Sequence, residues 1–285
     1  MTMMMSVRTN TAALSAINNL NTNQTALTKS LEQISSGLRV NRAADDAAGM
    51  GVIVRMETEN TSMKQAIRNT NDGISLVQTA EGSLEQLSNI LIRFRELSVQ
   101  ASNETYTSTD RGMIGTEMTA LMNEYKRITT LSNFNEQKLL NGSGTVSIQV
   151  GIDGTSNDAI SINMNNLATT MGAMASLNAV FGTVTGGTAS TAAGATANLA
   201  SLDKSINDLS TRRATLGSLQ NRFENALAEA STYSTNITAA QSQILDVDYA
   251  SESANMTRYQ IQSQAGVAAL AQAKAIPQSI ISLLS

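Results

Sequence analysis

The sequence has no cysteine, no histidine and no tryptophan, a single proline, and aromatic residues at only 3%. Each absence removes a class of function. Without Cys there are no disulfides. Without Cys and His, thiolate and imidazole metal sites are gone, together with every nucleophile that needs a His base. Asp/Glu sites and Ser–Lys chemistry survive this cut. A lack of Cys suits an oxidising or a reducing compartment equally, so it assigns neither. The net charge is −4 with no basic stripe, which argues against nucleic-acid binding. No apolar run is long enough to span a membrane. The N-terminus, MTMMMSVRTNTAALSAINNL, lacks the continuous apolar core of a cleaved signal peptide, so export would need another route.

What is present is helical periodicity. From Leu199 to Ile244, alternating gaps of three and four residues meet Leu202, Ile206, Leu209, Arg213, Leu216, Gln220, Phe223, Leu227, Ala230, Ser234, Ile237 and Gln241, most of them apolar. With no proline to interrupt it, this predicts one long helix with a narrow apolar seam, the geometry of coiled-coil packing. Such a helix is too long to bury itself and needs equally long partners. Residues 13–38 repeat the pattern at Ala13, Ile17, Leu20, Gln24, Leu27, Leu31, Ile34 and Leu38. Their off-seam positions are mostly Asn, Thr, Ser and Gln, so this segment is weakly helical alone and is expected to stay disordered until its seam is covered. An ordinary amphipathic helix on a monomer core is the alternative.

Gly37 offers an end to the first helix, and Asp45 or Asp46 a cap for the next. A second long helix is expected over about 50–100, through Ile67, Ile74, Val77, Leu84, Leu87, Leu91 and Phe94, weakened locally at Asn71-Asp72-Gly73. Residues 101–109 read as a loop, and Asp110–Leu131 as a third helix on Ile114, Met118, Leu121, Met122, Tyr125 and Ile128. Residues 145–150 and 160–164 alternate polar and apolar around Asp153-Gly154, a β-hairpin with a long connection. Residues 182–198, mostly Gly, Thr, Ala and Ser, read as a flexible surface excursion. A final helix runs from roughly Glu252 through Met256, Ile261, Val267 and Leu270 to Leu284, with Pro277 expected to bend its last turns. The expected fold is mainly α: a long antiparallel, coiled-coil-like helical rod with paired N- and C-terminal helices and a small β-hairpin region.

Few residues suggest chemistry. Asp45-Asp46 without further ligands reads as helix caps rather than a metal or acid/base pair. Ser201-Leu202-Asp203-Lys204 fits the S-x-x-K nucleophile pattern. Leu202 lies on the seam, so Ser201 reads as an N-cap. No enzyme and no cofactor are expected.

At both ends the residues resemble bacterial flagellin. On the N-terminal side the resemblance rests on Ser35-Ser36-Gly37-Leu38-Arg39-Val40-Asn41, Asp45-Asp46-Ala47-Ala48-Gly49, Asn71-Asp72-Gly73-Ile74-Ser75 with Glu81-Gly82, and the run from Arg93 to Ala101. On the C-terminal side it rests on Leu216 to Phe223, Asp248-Tyr249-Ala250, Gln264-Ala265-Gly266, Leu270-Ala271-Gln272-Ala273, Pro277-Gln278 and Ser282-Leu283-Leu284. It covers about 1–140 and 199–285. The chain departs from the family pattern in a Met-rich start and in ending on Ser285, where a basic residue is common.

The resemblance implies a structural subunit that polymerises into the extracellular flagellar filament for swimming motility. Its partners would be other copies of itself, the flagellar export apparatus, a flagellin chaperone and the filament cap. It implies an inner domain of residues 1–44 and 250–285, disordered in the monomer, a rod domain of 45–140 and 199–249, and a variable insert of 141–198. Terminal assembly seams would be carried by Ile17, Leu20, Leu27, Leu31, Ile34, Val267, Leu270, Leu283 and Leu284. Leu97 and Val99 lie off the Ile74–Leu91 stripe, and Arg93, Leu97 and Gln100 fall at i, i+4 and i+7 as a candidate subunit contact. The resemblance matches this patch, with Glu117, to the surface recognised by the flagellin-sensing Toll-like receptor. Some flagellins carry a zinc peptidase in the insert, but a chain without His cannot supply its H-E-x-x-H motif. Two other functions remain open: a hook–filament junction protein, and an unrelated extracellular coiled-coil adhesin or secretion-tip protein.

Overall fold

A computed structural model describes residues 10–142, 144–164 and 192–284, with the side chains of the last stretch described over 199–275. Among the described residues there are five long helices and two small hairpins. Helix α1 spans Thr11–Ser36, α2 Ala47–Ala101 and α3 Ser108–Leu131. Strands β1 (Asn133–Phe134), β2 (Gln137–Lys138), β3 (Thr145–Gln149) and β4 (Ala159–Asn163) follow, then α4 (Ala192–Leu245) and α5 (Tyr249–Leu284).

The helix ends follow the capping residues. Asn10 accepts from Ala13 N, and Gly37 closes α1 in the left-handed conformation at φ +74°. Asp46 caps α2 by accepting from Gly49 N at 2.8 Å, and a Cβ at Gly49 would lie 2.3 Å from that carboxylate. Asp45 accepts from Arg42 N, so both carboxylates are structural. Thr107 and Asp110 form a reciprocal capping box that starts α3 at Ser108, two residues before the expected start. Asp248 accepts from Ala250 N and Ser251 N and starts α5 three residues early. Helix α4 starts seven residues before Leu199, because Ala-rich 192–198 favours helix despite Gly194. That corrects the excursion expected there, and residues 182–191 lie outside those described. It also places Ser201 inside a helix, so Ser201 is not an N-cap. Its carbonyl accepts from Ser205 Oγ in the ordinary i−4 manner.

The chain divides into two compact units: Met1–Asn60 with Thr235–Ser285, and Thr61–Ser234. In the second, the expected stripe of α2 is buried from Val77 to Phe94, facing Leu202, Leu209, Leu216 and Phe223 of α4 and Ile114, Met118 and Tyr125 of α3. Burial pushes the Tyr125 phenol well above its ordinary value. Helix α2 is unbroken at Asn71-Asp72-Gly73. Gly73 is buried there, and a Cβ at this position would approach Phe223 Cε1 to 2.9 Å. The expected hairpin pairs Thr145 with Asn163 through Gln149 with Ala159, and turns Ile160 and Ile162 inward.

A second hairpin, β1–β2, escaped the sequence reading. Its two turn residues, Asn135 and Glu136, have φ +48° and +67°. That geometry belongs to a type I′ turn, and Asn-Glu is a poor signal for it. Leu139 and Leu140, directly after it, are fully buried.

Candidate assembly surfaces

In the first unit, α1 and α5 pack antiparallel, and a short clasp closes one end of the pair. Arg39 N donates to Leu245 O at 2.7 Å, and Val247 N donates to Gly37 O at 3.0 Å. Leu38 and Asp246 form an isolated antiparallel bridge. The Arg39 guanidinium donates to Ile244 O through Nε at 3.2 Å and Nη2 at 2.7 Å. A cation therefore sits on the carbonyl end of α4, where unsatisfied acceptors and the helix dipole favour it. Beside the clasp, Arg42 binds Glu32 through Nε and Nη2, and Lys29 pairs with Asp45 at 2.7 Å. The Lys29 hydrogen bond holds the Asp45 carboxyl below the usual carboxylate range.

The line along which α1 meets α5 is polar as well as apolar. On α1 it runs through Ala13, Leu20, Asn23, Leu27, Ser30 and Ile34; on α5 through Met256, Tyr259, Ser263, Gly266, Leu270 and Ala273. Asn10 Nδ2 donates to Ala273 O at 2.8 Å, and Asn23 Nδ2 to Tyr259 O at 3.5 Å. Ser30, 1% exposed, donates to a carboxylate oxygen of Glu252. Of the expected seam residues, Leu20, Leu27, Ile34 and Leu270 lie on this line. Ile17, Leu31 and Val267 do not; they stay 37%, 46% and 56% exposed. The side chains of Leu283 and Leu284 lie outside those described.

The choice of facing residues within the pair has a physical reason. The 3-4 spacing read from the sequence passes through Ile17, Gln24 and Leu31, whereas the facing line steps to Ala16, Asn23 and Ser30. Ser30 can be buried there, and Asn23 half-buried, because their side-chain polar atoms are satisfied across the pair. Asn23, Ser30, Glu252 and Gly266 were all missed, and the signal available for them was their 3-4 spacing.

In the second unit, Arg93 is exposed and binds Glu117 through Nε at 3.0 Å and Nη2 at 2.8 Å. It also reaches Glu96 at 3.0 Å. Hydrogen bonds from Glu117 and then Glu96 hold its guanidinium above its usual pKa. Gln100 is exposed and donates to the Tyr106 hydroxyl. Leu97 corrects the expectation. It is 2% exposed and part of the core, while Val99 is 49% exposed. Helix α2 shares its core with α3 as well as α4, so its buried face is wider than one seam, and Leu97 falls within that face. Arg93, Gln100 and Glu117 thus share a surface, and Leu97 lies beneath it.

Comparison with known proteins decides what these helices belong to. The N-terminal helical region of bacterial flagellin matches residues 7–145, and the C-terminal helical region matches residues 199–284. The flagellin of Halalkalibacterium halodurans is 37% identical over 281 residues, covering 98% of this chain and 100% of the relative. The chain belongs to the bacterial flagellin family. The flagellin of Bacillus subtilis is 38% identical over 305 residues, again covering 98% of this chain and 100% of the relative. This flagellin is accordingly a structural subunit of the flagellar filament, an extracellular polymer of copies of itself. A solved structure assigned as a hook-associated protein of Vibrio parahaemolyticus aligns with TM-score 0.62, covering 71% of this chain and 100% of that one. At 15% identity it shares the fold alone. Among the described residues, no helix is long and apolar enough to cross a membrane, and no three carboxylates cluster as metal ligands.

Proposed function

We propose that the terminal segments, residues 1–44 and 250–285, are unfolded in the free subunit and fold as it joins the filament. The observation that carries this is the apolar surface left on the α1–α5 pair. Leu14, Ile17 and Leu31 on α1, and Ile261 and Val267 on α5, remain 37–61% exposed. Ordering each residue costs about 1–2 kcal/mol of backbone entropy, and a two-helix pair with a half-polar line buries little to offset it. Neighbouring copies that cover the remaining apolar faces would supply the difference, so that ordering and binding are coupled.

An unfolded terminus also suits passage through the flagellar export channel, with a chaperone holding the chain before export and a cap directing its addition at the tip. The Arg93–Gln100–Glu117 surface fits a subunit contact, and by resemblance the surface read by the flagellin-sensing Toll-like receptor, with Leu97 supporting it from below.

The test is seeded polymerisation. Purified subunit added to short filament fragments should give long filaments in negative-stain electron microscopy. A chain lacking residues 1–40 and 252–285 should stay monomeric. Filaments from the truncated chain would overturn the reading. An intact chain that stays monomeric while capping seed ends would point to a junction protein.

A further inference from the structure

One apolar side chain stands among the charged residues of the Arg93–Gln100–Glu117 surface. Among the described residues Met113 is the one exposed methionine, at 63%. Met63, Met118, Met122 and Met164 are buried, and Met50, Met56 and Met256 are half-buried. Met113 lies four residues before Glu117 on α3, so the two share a face. Helices α2 and α3 are joined by the short segment 102–107, and Arg93 meets Glu117 at 2.8 Å. The two helices therefore run antiparallel, and Met113 comes alongside the stretch of α2 from Leu97 to Gln100. Gly112 precedes it, and a Cβ built there would meet open space. The backbone before Met113 is thus open and carries no side chain to screen the thioether.

With no Cys in the chain, thioethers are the sulfur available to a peroxide oxidant. The sulfur attacks one peroxide oxygen, an S–O bond forms as the O–O bond breaks, and the other oxygen leaves as water with both protons. Sulfur loses two electrons and the peroxide gains them. A flexible, polarizable apolar side chain becomes a polar sulfoxide. In the free subunit that oxygen stays solvated. In a polymer of copies, the neighbour that covers this surface is a second copy of the chain. Once covered, the sulfoxide oxygen needs a donor that a face packed on a thioether does not present. We infer that Met113 is the peroxide-oxidation site of the folded subunit, and that its sulfoxide weakens the contact with a second copy. This rests on the Arg93–Gln100–Glu117 surface being a subunit contact, as proposed above.

The test treats the full chain with hydrogen peroxide, as free subunit and as filaments, then unfolds and digests it with trypsin. Cleavage after Arg111 and after Lys126 yields one peptide, Gly112–Lys126, holding Met113, Met118 and Met122 and so carrying its own buried controls. In free subunit, fragment-ion mass spectra should place the first added oxygen on Met113. In filaments that oxygen should be lost, with Met113 as unreactive as Met118. Subunit oxidised before seeding should polymerise with a critical concentration raised about tenfold, the effect of one buried unsatisfied acceptor. Met113→Gln should raise it similarly without peroxide, with the thermal melt of the Thr61–Ser234 unit unchanged. Methionines elsewhere also react, so Met113→Leu assigns the effect: its critical concentration should be the same before and after peroxide.

Equal oxidation of Met113 in filaments and in free subunit would overturn the inference. So would a peroxide effect on Met113→Leu as large as that on the native chain. The peroxide arms decide if Met113→Gln does not fold. Arg93→Ala and Gln100→Ala separate this inference from the reading beneath it. If both leave the critical concentration unchanged while Met113→Gln raises it, the contact proposed for those two residues fails and the Met113 contact stands. If they raise it and Met113→Gln does not, the Met113 assignment fails alone.

Discussion

At the scale of single residues, Leu97 and Val99 show how helical position outranks hydrophobicity. The two stand two residues apart on α2, yet one is 2% and the other 49% exposed. Leu97→Ala should cost about 2–5 kcal/mol, as for a buried Leu whose cavity cannot fully collapse. Val99→Ala should stay within about 0.5 kcal/mol. Denaturant unfolding of the free subunit, followed on the Thr61–Ser234 unit, reads both. Equal costs would contradict the burial. The Arg93–Glu117 pair, with both side chains about half exposed, contributes little to folding by comparison.

At the scale of the element, α2 was legible as a helix, but its glycines were not legible as packing residues. Asn71-Asp72-Gly73 is turn chemistry in isolation. In place, Gly73 makes room for the buried Phe223 ring, with Ile148 Cγ2 at 3.4 Å on the same spot. Gly82 in the same helix faces open space. Gly73→Ala should therefore destabilise by about 1–3 kcal/mol through overpacking, and Gly82→Ala should stabilise by about 0.5–1 kcal/mol through reduced backbone entropy. Thermal melts of the two variants should move in opposite directions. Two shifts of the same sign would show that the Phe223 contact does not govern the site. The β1–β2 hairpin was illegible for a related reason: Glu136 at positive φ is tolerated because the buried Leu139 and Leu140 anchor the strand that leaves the turn.

At the scale of the whole molecule, the two units differ in how much they bury. The Thr61–Ser234 unit holds an extended apolar core, whereas among the described residues the terminal pair has none of comparable size. Hydrogen exchange on free subunit should show strong protection for core amides such as those of Val77–Leu91 and Leu209–Phe223. Residues 11–36 and 249–275 should exchange close to unfolded rates and become protected after polymerisation. Equal protection of both units in the free subunit would remove the thermodynamic basis for folding on assembly.

Periodicity and composition by themselves determined the helical class, the extents of the long helices apart from the first seven residues of α4, and the β3–β4 hairpin, while the motifs at the two ends carried the resemblance to the family. These follow from local rules: a 3-4 repeat, capping residues and alternation leave marks that neighbouring residues carry alone. The tertiary structure decided which apolar residues are used. It turned Leu97 inward, left Ile17, Leu31 and Val267 outside, and placed Asn23, Ser30 and Glu252 on the line between the terminal helices. A helix face is defined only by what packs against it, and a buried polar atom is tolerable only where a partner from another element meets it.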